Sequence, residues 1–122
     1  MTLRILAVDD SRTMRSMLEQ ALKEAGFDVA LAEDGQEGLD RLDDVAPDVV
    51  ITDINMPRVD GFAFIEGVRA QRRNRGLPIL VLTTESAPEL KARARSAGAT
   101  GWIVKPFDEH KLIAAIRRVA AE

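Results

Sequence analysis

The 122-residue chain contains no cysteine and no tyrosine. Without cysteine, disulfides, thiol catalysis and zinc–thiolate sites are all excluded. Four phenylalanines and one tryptophan leave few platforms for stacking single-stranded bases. Nor is there a basic excess: the net charge is −3, whereas nucleic-acid binders concentrate positive charge on one face. The one basic cluster, Arg69, Arg72, Arg73 and Arg75, reads as a solvated helix end, where cations also suit the helix dipole. No apolar run approaches the roughly 20 residues needed to cross a bilayer. The first run, Leu3–Val8, is too short for a signal-peptide core, and no small-residue cleavage site follows it. A cytoplasmic protein with no membrane insertion and no nucleic-acid partner is expected.

What remains is ordinary globular material, 46% apolar and 30% charged, at a length suited to one compact core. One domain over residues 1–122 is therefore expected. Five short apolar runs punctuate it: Leu3–Val8, Phe27–Ala32, Val49–Thr52, Ile79–Thr83 and Trp102–Val104. Most are continuous, which predicts strands buried on both faces, as in a parallel sheet covered by helices. The intervening segments carry helical spacing. Met14, Leu18, Ala21, Leu22 and Ala25 form one stripe, stopped at Gly26. Leu39, Leu42 and Val45 form a second before Pro47, and Phe62, Ile65 and Val68 a third after Asp60–Gly61. A fourth helix should start near Ala87–Pro88 and end at Ala97–Gly98. The last carries Leu112, Ile113, Ile116, Val119 and Ala120, with Asp108 as its N-cap. Five β-then-α units predict a doubly wound α/β fold with right-handed crossovers. Ligands of such sheets bind beyond the carboxyl ends of the strands, where strand order reverses.

The residues at those ends share one chemistry. The first strand ends in Asp9–Asp10, the third in Asp53, the fourth in Thr83–Thr84 and the fifth in Lys105. Three converging carboxylates repel one another unless a hard divalent cation neutralises them, and Mg²⁺ takes carboxylate, carbonyl, water and phosphate oxygens. Lys105 could then pair with a phosphoryl oxygen as a point charge, and Thr83 could donate to another. Phosphoryl transfer asks the protein mainly for positioning and charge neutralisation. Asp53, after the middle run, is the candidate nucleophile, with Asp9 and Asp10 as the metal cradle. Singly, each residue has a structural explanation as cap, loop or strand end; jointly they favour one site.

Val8-Asp9-Asp10-Ser11, Asp53-Ile54-Asn55-Met56-Pro57, Asp60-Gly61, Leu82-Thr83-Thr84-Glu85 and Lys105-Pro106-Phe107 together resemble the receiver domain of bacterial response regulators. The resemblance covers the whole chain and is strongest to the stand-alone, CheY-like chemotaxis type. It implies a flavodoxin-like (βα)5 three-layer sandwich, with a five-stranded parallel sheet in the order 2-1-3-4-5. It implies Asp53 as phosphoacceptor, with Asp10, Asp53 and the backbone carbonyl of Asn55 as Mg²⁺ ligands and Asp9 holding a metal-bound water. Lys105 and Thr83 would sense the phosphoryl group, and the Lys105–Pro106 peptide would be cis. On phosphorylation Thr83 would move towards the phosphate. Trp102 would then rotate inward, reshaping the face made by the fourth helix, fifth strand and fifth helix. Trp102 stands where the chemotaxis type carries tyrosine, so a rotating switch and a half-buried core residue are both open readings. Asn55 and Glu85 stand where the family tunes self-dephosphorylation, or are exposed polar loop residues. Met14 reads as core, Arg15 as surface, and His110 as solvated.

The implied partners are the phosphodonor domain of a CheA-like histidine kinase and either a flagellar motor switch protein or a phosphatase, met by a monomer. The chain would not be an enzyme beyond catalysing its own phosphorylation and dephosphorylation. A phosphate sink and a phosphorelay intermediate are alternatives to motor binding. A more distant one, an aspartate-dependent phosphohydrolase, needs a second titrating aspartate where Asn55 stands. A flavin- or nucleotide-binding module of the same fold would need a phosphate-cradling loop where Asp9–Asp10 stand.

Overall fold

The computed structural model describes residues 2–121. Five strands alternate with five helices: β1 (Arg4–Val8), α1 (Arg12–Glu24), β2 (Asp28–Ala32), α2 (Gly35–Val45), β3 (Val49–Thr52), α3 (Gly61–Ala70), β4 (Ile79–Thr83), α4 (Pro88–Ala97), β5 (Gly101–Val104) and α5 (Glu109–Ala121). A single 3-10 turn, Arg72–Asn74, follows α3. All strand pairings are parallel, in the order β2-β1-β3-β4-β5. The flavodoxin-like α/β fold expected from the sequence is the one observed.

Period-two alternation splits the continuous apolar runs between two cores. Ile5, Ala7, Val49, Ile51, Leu80 and Leu82 pack with Leu18 and Leu22 of α1 and Leu112 and Ile116 of α5. Leu6, Val8, Val50, Ile79 and Val81 face the other way, against α2, α3 and Ala94 of α4. Burial on both faces therefore holds for β1, β3 and β4 but not for the sheet's edges. Residues 28–31 of β2 and all of β5 are only partly covered, and Val104 is 40% exposed, because an edge strand has a neighbour on one side only.

The helix ends follow the local chemistry. Ser11, Asp34, Asp60 and Asp108 each accept a hydrogen bond from the main chain three residues on. Gly98 ends α4 with φ +118° and Gly26 follows α1 with φ +92°, a region that glycine enters without a steric penalty. α4 starts at Pro88 without a side-chain cap and buries only Ala94. Of the expected solvated arginines, Arg69 differs. It is half-buried and donates through Nε and Nη2 to the Gly98 carbonyl at 3.0 and 2.8 Å, joining the ends of α3 and α4.

Candidate functional site

Strand register builds the site. Val8 pairs with both Ala32 and Thr52, so Asp9 and Asp53 leave adjacent strands at the same level, where strand order reverses. The Asp9 N–H still donates to the Ala32 carbonyl and the Asp53 N–H to the Val8 carbonyl, both at 3.0 Å. The ladder thus continues one residue into the site and fixes both Cα positions. On the other side Thr83 pairs with Val104, and the Lys105 N–H donates to the Thr83 carbonyl at 2.7 Å. The Lys105–Pro106 peptide is cis, as the family resemblance implies.

Carboxylate oxygens of Asp9, Asp10 and Asp53 all lie within 4.8 Å of one another. Asp9 and Asp53 are buried, whereas Asp10 is exposed. Lys105 Nζ donates to Asp9 Oδ2 and to Asp53 Oδ2, each at 2.8 Å. Burial opposes the lysine's charge, but the hydrogen bonds to Asp53 and Asp9 and their negative charges outweigh it, holding its pKa above the ordinary value. The second oxygens are also held. Asp9 Oδ1 accepts from the Ser11 N–H at 2.9 Å, and Asp53 Oδ1 from the Ile54 N–H at 2.6 Å.

Three carboxylates against one ammonium leave two negative charges over, the charge that a divalent cation neutralises. The donors are all oxygen, the choice of a hard cation such as Mg²⁺. The residues present therefore fit such an ion, with Asp10 opening the cluster to solvent.

Thr83 is fully buried, and its Oγ1 accepts from the Glu85 N–H at 3.3 Å. Glu85 joins the other predicted residues: its carboxylate accepts from Asn55 Nδ2 at 3.2 Å and its carbonyl from Trp102 Nε1 at 3.0 Å. Trp102 is half-buried against the α2–α4 core. Asn55 is exposed, Met14 is half-buried beside the α1–α5 core, and His110 is exposed.

Two contacts were invisible in sequence. Arg15, expected at the surface, is half-buried and donates from Nη1 to the Asp9 carbonyl at 2.7 Å, because one turn of α1 returns it over the end of β1. Arg58, in the loop after β3, grips Asp34 with Nε and Nη2, both at 2.9 Å. The run Asp34-Gly35-Gln36-Glu37 carries the sign of a helix start. Nothing local pairs it with Arg58.

Comparison with known proteins agrees with this geometry. The response regulator receiver domain matches residues 5–117. Response regulator MprA of Mycolicibacterium vanbaalenii is 39% identical over 117 residues, 96% of this chain and 50% of its own length. The chain thus spans about half the length of the curated relatives it matches. The Vibrio cholerae chemotaxis protein CheY4 is 44% identical, with a TM-score of 0.93 covering 98% of this chain and 99% of that one. The receiver domain of a Pseudomonas aeruginosa sensor histidine kinase, with magnesium coordinated in its active-site cleft, is 25% identical. Its TM-score is 0.92, and each chain is covered in full.

Proposed function

Since the chain belongs to the response regulator receiver family of two-component signalling, we propose that it accepts a phosphoryl group from a histidine kinase onto Asp53. The observation that carries this reading is the bridging of Asp9 and Asp53 by Lys105 Nζ, with Asp10 completing the carboxylate cluster. A carboxylate oxygen of Asp53 would form the new O–P bond as the N–P bond of a phosphohistidine breaks. Lys105, already against Asp53 Oδ2, would transfer to a phosphoryl oxygen, and the buried Thr83 hydroxyl would donate to another.

Mg²⁺ when bound supplies neutralisation of the phosphoryl charge. Asp10, Asp53 and the Asn55 carbonyl would hold it, with Asp9 in the outer shell. Asp9 is 1% exposed and Asp53 8%, while Asp10 is exposed to solvent. That contrast favours Asp10 over Asp9 as a direct ligand. Asn55 and Glu85, hydrogen-bonded at 3.2 Å across the mouth of the site, would govern water's approach to the phosphate and hence the rate of self-dephosphorylation. The chain would catalyse only these two reactions of its own carboxylate.

Chemotaxis is the proposed pathway, with a CheA-like kinase as donor and the flagellar motor switch or a phosphatase as partner. The 44% identity to a chemotaxis protein over nearly both full chains supports it. A sink or relay role is the second reading, favoured by the likeness to a receiver domain of a sensor histidine kinase.

Incubation with acetyl phosphate and Mg²⁺ tests the chemistry. The wild-type protein should gain the mass of one phosphoryl group, labile to hydroxylamine as an acyl phosphate is, and Asp53→Asn should gain none. Labelling of Asp53→Asn to the wild-type level would refute the assignment. Mimic-dependent capture of the motor switch protein with beryllofluoride then separates motor binding from sink behaviour.

A further inference from the structure

The loop from Asp53 to Asp60 leaves β3 and reaches α3 with no strand to pair with. It is held at its two ends. At the inner end the Gly61 N–H donates to the Ile54 carbonyl at 2.8 Å. At the outer end it lies flush on the start of α2: a Cβ on Gly35 would stand 2.2 Å from the Val59 carbonyl oxygen. Beside that contact Arg58 has φ +65°, a conformation that a non-glycine residue keeps only when its surroundings compensate. Its compensation is Asp34, gripped by Nε and Nη2 at 2.9 Å each. Asp34 is itself fixed, because Oδ1 also accepts from the Glu37 N–H at 2.8 Å as the N-cap of α2. A guanidinium–carboxylate fork sets orientation as well as distance.

We propose that Asp34 and Arg58 are positioning residues for the cation, holding the β3–α3 loop so that the Asn55 carbonyl faces the carboxylate cluster. The inference rests on the reading above in which that carbonyl is a Mg²⁺ ligand. Neither residue is among those that would hold the metal or the phosphoryl group. They act as an outer support of the ligand-bearing loop, as the partners of metal ligands do elsewhere.

The test is Mg²⁺ titration by isothermal calorimetry of wild type, Asp34→Asn, Arg58→Gln, Arg58→Lys and the Asp34→Asn/Arg58→Gln double variant. Asparagine keeps an N-cap oxygen, so α2 stays capped and the far-UV spectrum should not change. Asp34→Asn and Arg58→Gln should each weaken binding about 5-fold, short of the roughly 10–100-fold lost when a partner touches a ligand directly. The double variant should be no weaker than either single one, since both remove one contact. Arg58→Lys, which keeps charge but loses the fork, should fall between wild type and Arg58→Gln. Wild-type affinity in Arg58→Gln, or losses that multiply in the double variant, would overturn the inference alone. A wild-type protein that binds no Mg²⁺ would overturn the underlying reading and this inference with it.

Discussion

The indole N–H of Trp102 donates to the main-chain carbonyl of Glu85 at 3.0 Å, and the N–H of Glu85 donates to the Thr83 hydroxyl oxygen at 3.3 Å. One residue's main chain therefore stands between the buried threonine and the chain's only tryptophan. A movement of Thr83 towards a phosphate would release or pull that carbonyl. Beryllofluoride with Mg²⁺ should change the intrinsic fluorescence of the wild-type protein and leave Asp53→Ala unchanged. An unaltered wild-type spectrum would remove Trp102 as the switch.

Lys105 separates two buried carboxylates, so Lys105→Ala should be destabilising in metal-free buffer, by about 3 kcal/mol. Chemical denaturation with and without Mg²⁺ measures it. Saturating Mg²⁺ should recover most of the loss, because a divalent cation neutralises the same cluster. The wild-type lysine's pKa is raised above 10.5 in the folded state. Its stabilising contribution is accordingly full below pH 10.5 and lost as pH rises through the higher folded value.

Asp34 gives the opposite dependence. The Glu37 N–H, against the effect of burial, and the Arg58 fork hold its pKa below 3.8. Its contribution is present above pH 3.8 and disappears as pH falls through the lower folded value. Asp34→Asn should flatten the decline in urea midpoint as pH falls below about 4. An acid limb identical to wild type would show that Asp34 does not contribute to it.

Gly61 is required by space. A Cβ there would lie 2.2 Å from the Asp53 carbonyl oxygen and 2.6 Å from Ile54 Cα, and neither main-chain atom can yield without shifting the site. Gly61→Ala should cost about 2 kcal/mol by thermal denaturation, as other overpacked sites do. It should also slow acetyl-phosphate labelling of Asp53. A variant with wild-type melting temperature and labelling would contradict this account of the turn.

Much of the molecule could be read from the chain alone. β3 and β4 run over Val49–Thr52 and Ile79–Thr83, the apolar runs seen in the sequence, because a buried parallel strand needs unbroken apolar residues on both faces. The Asp108 cap and the limits of α4 at Pro88 and Ala97 were equally legible, since caps, proline and glycine act over three or four residues. The company kept by Asp9, Asp10, Asp53, Thr83 and Lys105 followed once their strands were assumed to be parallel neighbours.

Contacts between distant segments were decided by the tertiary structure. Nothing in the spacing puts Arg58 on Asp34, 24 residues away, or Arg69 on the carbonyl of Gly98. Nor does it place Arg15 on the carbonyl of Asp9. Long arginine side chains reach whichever carbonyl or carboxylate the packing of the helices presents, and a sequence records their charge but not their reach. Which residues meet at the strand ends was already legible in the order of the apolar runs and the polar residues that follow them, because parallel neighbours bring those ends to one edge. That Lys105 lies between Asp9 and Asp53, and that Arg58, in the loop bearing Asn55, grips Asp34 at the start of α2, followed only from the packed molecule, because both depend on where side chains end.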